Sequence, residues 1–232
     1  KSVKQTADGM GKAVTVASAA ATAGLVAAGT GAVKMGMDFD KSFRNIQTMF
    51  PGAEKSVAHR KGEVLSLSKS MGIDAVGATD ALYQAISASV PPENAMTFLK
   101  TASKAAIGGS IDTAQAVDVL TNVMNAYKME AGQAEGVSDI LFTTVARGKT
   151  TMGELSGAMF NVAPVAAAAG VSFEEVAAGI ASITKQGVPT SVATTQLRQA
   201  IVELQKPAKP LANALHDIGF ESGQAALQAL GL

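Results

Sequence analysis

The side chains of this chain that are best suited to catalysis are two adjacent carboxylates, Glu174 and Glu175. They lie in the stretch VAPVAAAAGVSFEEVAAGIASI, residues 162–183, which is dominated by alanine, valine and glycine. A pair of carboxylates can provide a general acid and a general base when their surroundings separate their pKa values. One hypothesis is therefore that Glu174 and Glu175 are catalytic.

The alternative is that the two carboxylates form the first turn of a helix. Ser172 stands three residues before Glu175, which is the Ser-x-x-Glu spacing of a capping box. Val171 and Val176 have the positions of a hydrophobic staple, and negative charge is favourable at a helix N-terminus. We favour the helix cap, because no other titratable residue follows in sequence until Lys185.

The remaining residue types that could support catalysis or metal binding form no recognisable motif. The two histidines, His59 and His216, are far apart in sequence, and we interpret both as surface residues without a metal-ligating partner on their own helix face. The sequence contains no His-Glu-x-x-His pair, no Gly-x-Ser-x-Gly elbow and no phosphate-binding Gly-x-x-x-x-Gly-Lys-Ser loop. We therefore predict no catalytic residue, no metal site and no cofactor.

Composition argues against several classes of function. The 232 residues include 19 basic and 19 acidic side chains, so no net field steers the chain to nucleic acid. Aromatic residues make up 4% and tryptophan is absent, which disfavours a base-stacking surface. The absence of cysteine excludes disulfides and thiolate metal sites. We expect no sequence-specific binding of nucleic acid.

Helix starts recur along the chain at a nearly constant interval. Asp74, Asp112, Thr151 and Thr190 each precede an amphipathic pattern and stand 38, 39 and 39 residues apart. Aspartate and threonine are residues that cap helix N-termini, because their side-chain oxygens accept bonds from unpaired backbone N–H groups. No stretch shows the alternation of a strand. The sequence therefore predicts an all-α fold.

A second helix fits into each interval, with starts near Pro92, Gly132, Ser172 and Pro210. This spacing predicts about four capped helical hairpins of about 39 residues, in a bundle or a short array; an irregular helical bundle is the alternative.

Three glycines and one proline refine this prediction of hairpins. We expect Gly109, Gly148 and Gly187 to end helices in the left-handed conformation. Pro164 should kink or break the helix that Thr151 begins, because proline lacks an N–H donor.

The first 37 residues are rich in alanine and glycine and differ from the rest. Residues 13–33 carry no charge over 21 positions, a length that could span a membrane. The small residues Ala20, Gly24, Ala28 and Ala32 recur every four positions and could instead form a groove for helix self-association. We prefer a third interpretation, a buried Ala-rich helix in a larger assembly.

The order of elements from Asp38 to about Phe220 resembles the conserved helical region of phage tail tape measure proteins of the lactococcal-phage type. The resemblance starts at DFDKSFRNIQTMFPGAE, continues through FLKTASKAAIGGSIDTAQAVDVLTNVMNAYKM and ends at ANALHDIGF. Its strongest part is VAPVAAAAGVSFEEVAAGIA, the stretch that contains the paired carboxylates. We accordingly divide the chain into a hydrophobic helical segment 1–37, a tape-measure-like helical domain 38–220, and the start of a further helical region 221–232.

The resemblance implies a structural role in the virion tail of a phage, a tailocin or a related injection particle. Tape measure proteins lie as several copies in the lumen of the tail tube or at the tail tip, set tail length during assembly in the bacterial cytoplasm, and leave ahead of the genome. The partners implied are other copies of the chain (a trimer is our guess), tail tube and baseplate or tail-tip proteins, tail assembly chaperones, and the host membrane on ejection. Because family members are much longer, we expect this chain to be a fragment.

Two other functions remain open from the sequence. A membrane-active protein would insert residues 13–33 into the host envelope and form a pore or channel, which is compatible with a tail role. A tail-associated cell-wall hydrolase would need catalytic residues, which we do not find, so this chain would be its non-catalytic part. We predict a protein that is not an enzyme.

Overall fold

A computed structural model describes residues 34, 36–48 and 54–229, and this part of the chain contains helices and no strand. The prediction of an all-α fold is confirmed. The stretch 13–33, with Ala20, Gly24, Ala28 and Ala32, lies outside the described residues. The division into segments 1–37, 38–220 and 221–232 stays a prediction.

The helices are short and follow one another with brief connections. In chain order they are α1 (36–47), α2 (Glu54–Met71), α3 (Ala75–Ser87), α4 (Ala95–Gly109), α5 (Thr113–Ala126), a 3-10 turn (Ala131–Gln133), α6 (Ala134–Arg147), α7 (Met152–Ala169), α8 (Phe173–Lys185), α9 (Thr190–Gln205), α10 (Lys209–Asp217) and α11 (Gly223–Ala229).

Helices that are two apart in sequence pack side by side, which produces two layers. One layer runs α3, α5, α7, α9 and α11, and the other runs α2, α4, α6 and α8. Successive helices from α2 to α9 also contact each other across the layers. Each helix therefore packs mainly against its nearest neighbours, as in stacked helical pairs. The equivalence of these pairs as repeats stays a prediction.

The core between the layers combines a few large side chains with many alanines. Phe98, Leu120, Met159, Phe173 and Ile180 are all fully buried, at 1% exposure or less. Buried alanines such as those of α7 leave little volume between helix axes, so the backbones can approach closely. Burial of each large side chain stabilises the fold by about 1.5–3 kcal/mol relative to exposure.

Several buried hydroxyl groups in this core are satisfied within their own helices. The Oγ of Ser103 donates to the carbonyl of Leu99 at 2.7 Å, and the Oγ1 of Thr144 donates to the carbonyl of Ile140 at 2.8 Å. A buried hydroxyl without a partner destabilises a fold, so these local bonds let serine and threonine occupy core positions.

Of the three glycines predicted as left-handed helix ends, Gly187 has the expected positive φ, at +93°. The prediction for Gly109 was wrong by one residue, since Ser110 takes the left-handed conformation after α4. Gly109 meets a packing requirement instead, because a Cβ there would lie 2.7 Å from the Cβ of Met152 in α7.

The prediction for Gly148 was also wrong, because this residue is extended, with φ −96° and ψ −177°. A Cβ at Gly148 would lie 2.6 Å from the Oγ1 of Thr184 and 3.0 Å from the Cα of Ala181. Glycine at this position lets the end of α6 pass close to α8.

The helix that contains Pro164 continues without a break from Met152 to Ala169. The expected break is absent, and Pro164 lies on the exposed side of α7. The carbonyl of Phe160, which loses its usual donor to the proline, can be hydrated there.

Candidate functional site

The two carboxylates of α8 lie at its N-terminus, and Glu175 is engaged with Ser172. The Oγ of Ser172 accepts a bond from the backbone N–H of Glu175 at 3.3 Å. The Oε2 of Glu175 accepts bonds from the backbone N–H and the hydroxyl of Ser172, at 2.7 and 2.6 Å. This reciprocal pattern is a capping box. The Glu175 carboxylate, which a catalytic pair would require, is therefore already hydrogen-bonded to Ser172.

The structure places Tyr127 beside this helix start, which the sequence did not suggest. Tyr127 ends α5, and its ring centroid lies 5.9 Å from that of Phe173. Its hydroxyl is buried and has no hydrogen-bond partner among the described residues. Burial first, and then the nearby charges of Glu174 and Glu175, raise the pKa of Tyr127. The phenol therefore stays protonated at neutral pH and cannot act as a base there.

Asp74 and Asp112 lie at the starts of α3 and α5. The Oδ2 of Asp74 accepts a bond from the backbone N–H of Gly77 at 2.6 Å. At Asp112 the backbone N–H donates to the Oε1 of Gln115 at 3.3 Å. Both residues have extended backbone angles, as residues that precede a helix do.

Thr151 begins α7 with a second reciprocal cap. The backbone N–H of Glu154 donates to the Oγ1 of Thr151, and the backbone N–H of Thr151 donates to the Oε2 of Glu154, both at 3.2 Å. Thr151 is exposed, so its hydroxyl is available for this local role.

The prediction that Thr190 caps α9 was wrong. Pro189 occupies the capping position, with φ −58° and ψ 145°, and Thr190 is the first helical residue. Thr190 is buried, and its hydroxyl lies 2.7 Å from the Oγ1 of Thr150 and 2.9 Å from the Oε2 of Glu154. Thr190 therefore connects the starts of α9 and α7, which stacking of the two helices brings together.

Both histidines are exposed. The expectation that His59 lacks a carboxylate on its own helix face was wrong, because Glu63 follows one turn later, with 3.6 Å between Nε2 and Oε1. This pair borders an open recess of about 660 Å³ between α2 and α4, together with Lys100. Among the described residues, no three His, Cys, Asp or Glu side chains are grouped to hold a metal ion.

No described helix has the combination of length and apolar character needed to cross a membrane. The stretch 13–33, for which a membrane span was one hypothesis, is outside the part of the chain to which this finding applies.

Comparison with known proteins places this arrangement in a family. A model of the phage-related minor tail protein family matches residues 61–232. The chain belongs to this family. The match includes almost all of the two-layer region, from α2 onward. Membership therefore places the chain among the proteins of phage tails, and the resemblance to tape measure proteins is confirmed.

Two curated relatives carry a name that agrees with this resemblance. A probable tape measure protein of Clostridium phage phiCD119 is 34% identical over 198 residues, which are 84% of this chain and 21% of that protein. The tape measure protein of Pneumococcus phage Dp-1 is 27% identical over 212 residues, which are 91% of this chain and 18% of that protein. The chain thus spans about a fifth of the length of these relatives. No solved structure matches it.

In this chain the polar residues Asp74, Thr151, Ser172 and Thr190 act at helix ends. Asp74, Thr151 and Ser172 pair with backbone groups of their own helices, and Thr190 contacts the neighbouring helix. Such contacts determine where helices begin and how they stack. The geometry of these residues is therefore that of helix caps and of contacts between helices.

Proposed function

We propose that this chain is a segment of a tail tape measure protein, with a structural and non-enzymatic role in a phage or phage-derived tail. The observation that carries the proposal is the similarity to two proteins that bear this name, over 84% and 91% of this chain. In the intact protein this segment would lie in the lumen of the tail tube or at the tail tip. The intact protein would set tail length during assembly and leave before the genome.

The geometry of the described residues supports a structural role. The capping carboxylates Glu154 and Glu175 are both held by backbone N–H groups, and the hydroxyl of half-buried Tyr127 is buried beside α8. The two carboxylates that could otherwise support catalysis therefore stabilise helix starts. The 232-residue chain as a whole has no net charge, and short stacked helices of this kind suit packing inside a protein tube.

The proposed partners are those of a protein assembled inside a tail. They are further copies of the chain, with three as our guess, tail tube and baseplate or tail-tip proteins, and tail assembly chaperones. The host membrane would be a further partner during ejection. We propose no sequence-specific contact with nucleic acid.

The proposal is tested in the phage that encodes the full-length protein. In-frame deletions in the long region outside this chain should shorten the tail by about 1.5 Å for each helical residue removed. Electron microscopy of purified tails measures this length. Peptides from residues 54–229 should be found in intact tails by mass spectrometry and be depleted after genome ejection.

One control and two contradicting outcomes make these experiments decisive. Synonymous recoding of the deleted region should leave tail length unchanged. Tails of normal length in every deletion strain would contradict the length-setting role, and absence of these peptides from purified tails would contradict the tail location.

A membrane-active function is the second candidate, favoured by the uncharged stretch 13–33. Liposome flotation separates it from a purely structural role. Binding that survives high salt and is lost on deletion of residues 13–33 would support insertion. Turnover of peptidoglycan by the chain would instead contradict the non-enzymatic role.

A further inference from the structure

The charges of the described helices are divided between the two layers. In one layer, α2 has four basic and two acidic residues, and α4 has Lys100 and Lys104 and no acidic residue. In the other layer, the charged residues within α3, α5 and α7 are Asp80, Asp118 and Glu154, all of them acidic. The two layers therefore carry opposite charge at this end of the stack, although the chain as a whole is neutral.

The acidic charges lie across α3 and α5, which pack side by side. Asp80 and Asp118 have the same place in their helices, six residues after the preceding residues Asp74 and Asp112. All four side chains are exposed. Asp74, Asp80 and Asp112 also line one recess of about 430 Å³, and no basic residue lines it. We refer to these four carboxylates as the acidic face.

Asp80 and Asp118 have no partner in the described part of the chain that accounts for their charge. Asp74 and Asp112 have a local role, because they take part in the caps of α3 and α5. The carboxylates of Asp80 and Asp118 form no hydrogen bond and no ion pair with another described residue. Packed helices lie about 8–10 Å apart, so carboxylates on adjacent helices repel one another. Cations from another molecule would relieve this repulsion.

The matching cations are Lys100 and Lys104, which we call the basic pair. They are exposed and lie one turn apart, so they project from the same side of α4. The buried residues of this helix, such as Phe98, lie on its opposite side. Glu63 borders the same recess as Lys100 but pairs with His59. Among the described residues, neither lysine forms an ion pair.

A second copy of the chain provides the complement that one copy cannot provide for itself. The acidic face and the basic pair lie on the outer sides of different layers, because α3 and α5 belong to one layer and α4 to the other. Acidic residues also occur on α6 and α8, but Arg147 and Lys185 lie on the same helices. No basic residue lies within α3 or α5. The acidic face is therefore the more complementary surface for two lysines.

We propose that Lys100 and Lys104 of one copy bind the acidic face of the next, so that copies associate head to tail. This inference rests on the proposed presence of several copies in one tail. A head-to-tail contact uses two different surfaces, and it closes into a ring when the rotation between copies permits closure. Exposed ion pairs are individually weak and are screened by salt, so association of free chains is weak and decreases as the salt concentration rises.

The test is sedimentation velocity of the purified 232-residue chain over a range of concentrations. It is run at ionic strengths of about 0.01 M and about 1 M, at which the Debye length is about 30 Å and about 3 Å. Self-association at low salt should be lost at high salt. Lys100→Glu with Lys104→Glu should weaken it by about tenfold or more, because like charges then face each other.

The acidic face is tested by Asp80→Lys with Asp118→Lys, which should weaken self-association to a similar extent. These two positions and those of the two lysines are exposed, so circular dichroism should show an unchanged helical fold in both double variants. If a charge reversal disturbs the fold, Lys100→Gln with Lys104→Gln provides the same test with a smaller loss.

Charge exchange tests direct contact between the two surfaces. A chain that carries all four substitutions has both surfaces reversed in sign, so it should associate more strongly than either double variant. An equimolar mixture of the two double variants should also associate, because the intact acidic face of one meets the intact lysines of the other.

Lys185→Glu with Lys206→Glu is the matched control. Both lysines are exposed and lie outside α3, α4 and α5, and the substitutions change the net charge as much as those at Lys100 and Lys104 do. This variant should associate like the unmodified chain.

Several results would overturn the inference. They are a monomeric unmodified chain at low salt, an equal loss of association in the control, and no recovery on charge exchange. Weakening by the lysine reversals alone would indicate that the basic pair meets another surface, such as α6 and α8. Because the measurement needs no phage, its failure is distinct from a failure of the tail-length experiment.

Discussion

At the residue scale, the side-chain oxygens of Ser172 and Glu175 satisfy N–H groups that the start of α8 leaves without helical partners. Glu154 does the same at the start of α7 and also approaches Thr190 of α9, 2.9 Å away. Carboxylates at these positions also interact favourably with the helix dipole. The side chains of these residues therefore form their hydrogen bonds at helix starts.

Replacing Ser172 by alanine should lower the free energy of unfolding by about 1 kcal/mol, because the cap to the Glu175 N–H is lost. Urea unfolding followed by circular dichroism measures this change. Ser172→Thr keeps the hydroxyl and is the control, with a much smaller effect. Glu175→Gln should likewise change stability by about 1 kcal/mol or less. Loss of a measurable enzymatic activity in Glu175→Gln would contradict the cap.

Tyr127→Phe should make stability less sensitive to alkaline pH. Unfolded tyrosine loses its proton near pH 10, about its ordinary pKa. Burial and the two glutamates hold the pKa of folded Tyr127 higher, so above pH 10 the unfolded state binds fewer protons and stability falls as pH rises. Without the hydroxyl this contribution disappears.

Urea unfolding of Tyr127→Phe and the unmodified chain, between pH 7 and pH 11, measures the difference. At pH 7 the variant should be as stable or more stable, because the buried hydroxyl has no partner among the described residues. Tyr83→Phe, at the other tyrosine, is the control substitution. Equal alkaline slopes for Tyr127→Phe and the unmodified chain would refute the prediction.

At the element scale, close approach between helices depends on positions where a side chain would not fit. The end of α6 passes α8 at Gly148, where the backbone N–H of Lys149 also donates to the Oγ1 of Thr184 at 3.2 Å. The end of α4 passes α7 at Gly109 in the same manner. These two glycines fix the spacing of neighbouring helices through packing.

Gly148→Ala should lower the free energy of unfolding by about 1–3 kcal/mol, because the added methyl group meets Thr184 and backbone atoms of Ala181 and Thr144. Gly136→Ala, within α6, is the control, since no atom lies within 4 Å of a Cβ built there. This exposed helical substitution should stabilise the chain by about 0.4–1 kcal/mol. Thermal unfolding of both variants measures the contrast, and two effects of the same sign would contradict it.

At the scale of the whole molecule, stability is distributed along a stack in which each helix depends on its neighbours. α5 and α7 have partners on both sides within their layer and across it. α10 has Leu215 as its single buried residue and contacts mainly α11. Protection against local opening should therefore be greatest in the middle of the stack.

Hydrogen exchange followed by mass spectrometry should show this gradient. Peptides from α5 and α7 should exchange slowest, and peptides from α10 should exchange fastest among the helices from α3 to α10. The internal comparison is α8, which resembles α10 in having exposed charged residues but has a buried apolar face. Uniform protection from α3 to α10 would contradict a stack of nearest-neighbour contacts.

The all-α class follows from the sequence, because helical spacing of apolar residues and capping residues are local signals. Such signals also placed helix starts after Asp74, Asp112, Thr151 and Ser172, since a cap involves residues within one turn of each other. The resemblance to tail tape measure proteins was likewise carried by the order of these local patterns.

Only the tertiary structure decided the features that depend on a neighbouring helix. Thr190 contacts α7, Gly148 makes room for Thr184, and Tyr127 lies against the start of α8. Each involves residues 36 to 46 positions apart, which helical periodicity cannot relate because it repeats every few residues. Local hydrogen bonding thus determined where the helices begin, and side-chain volume at the contacts between helices determined how they stack.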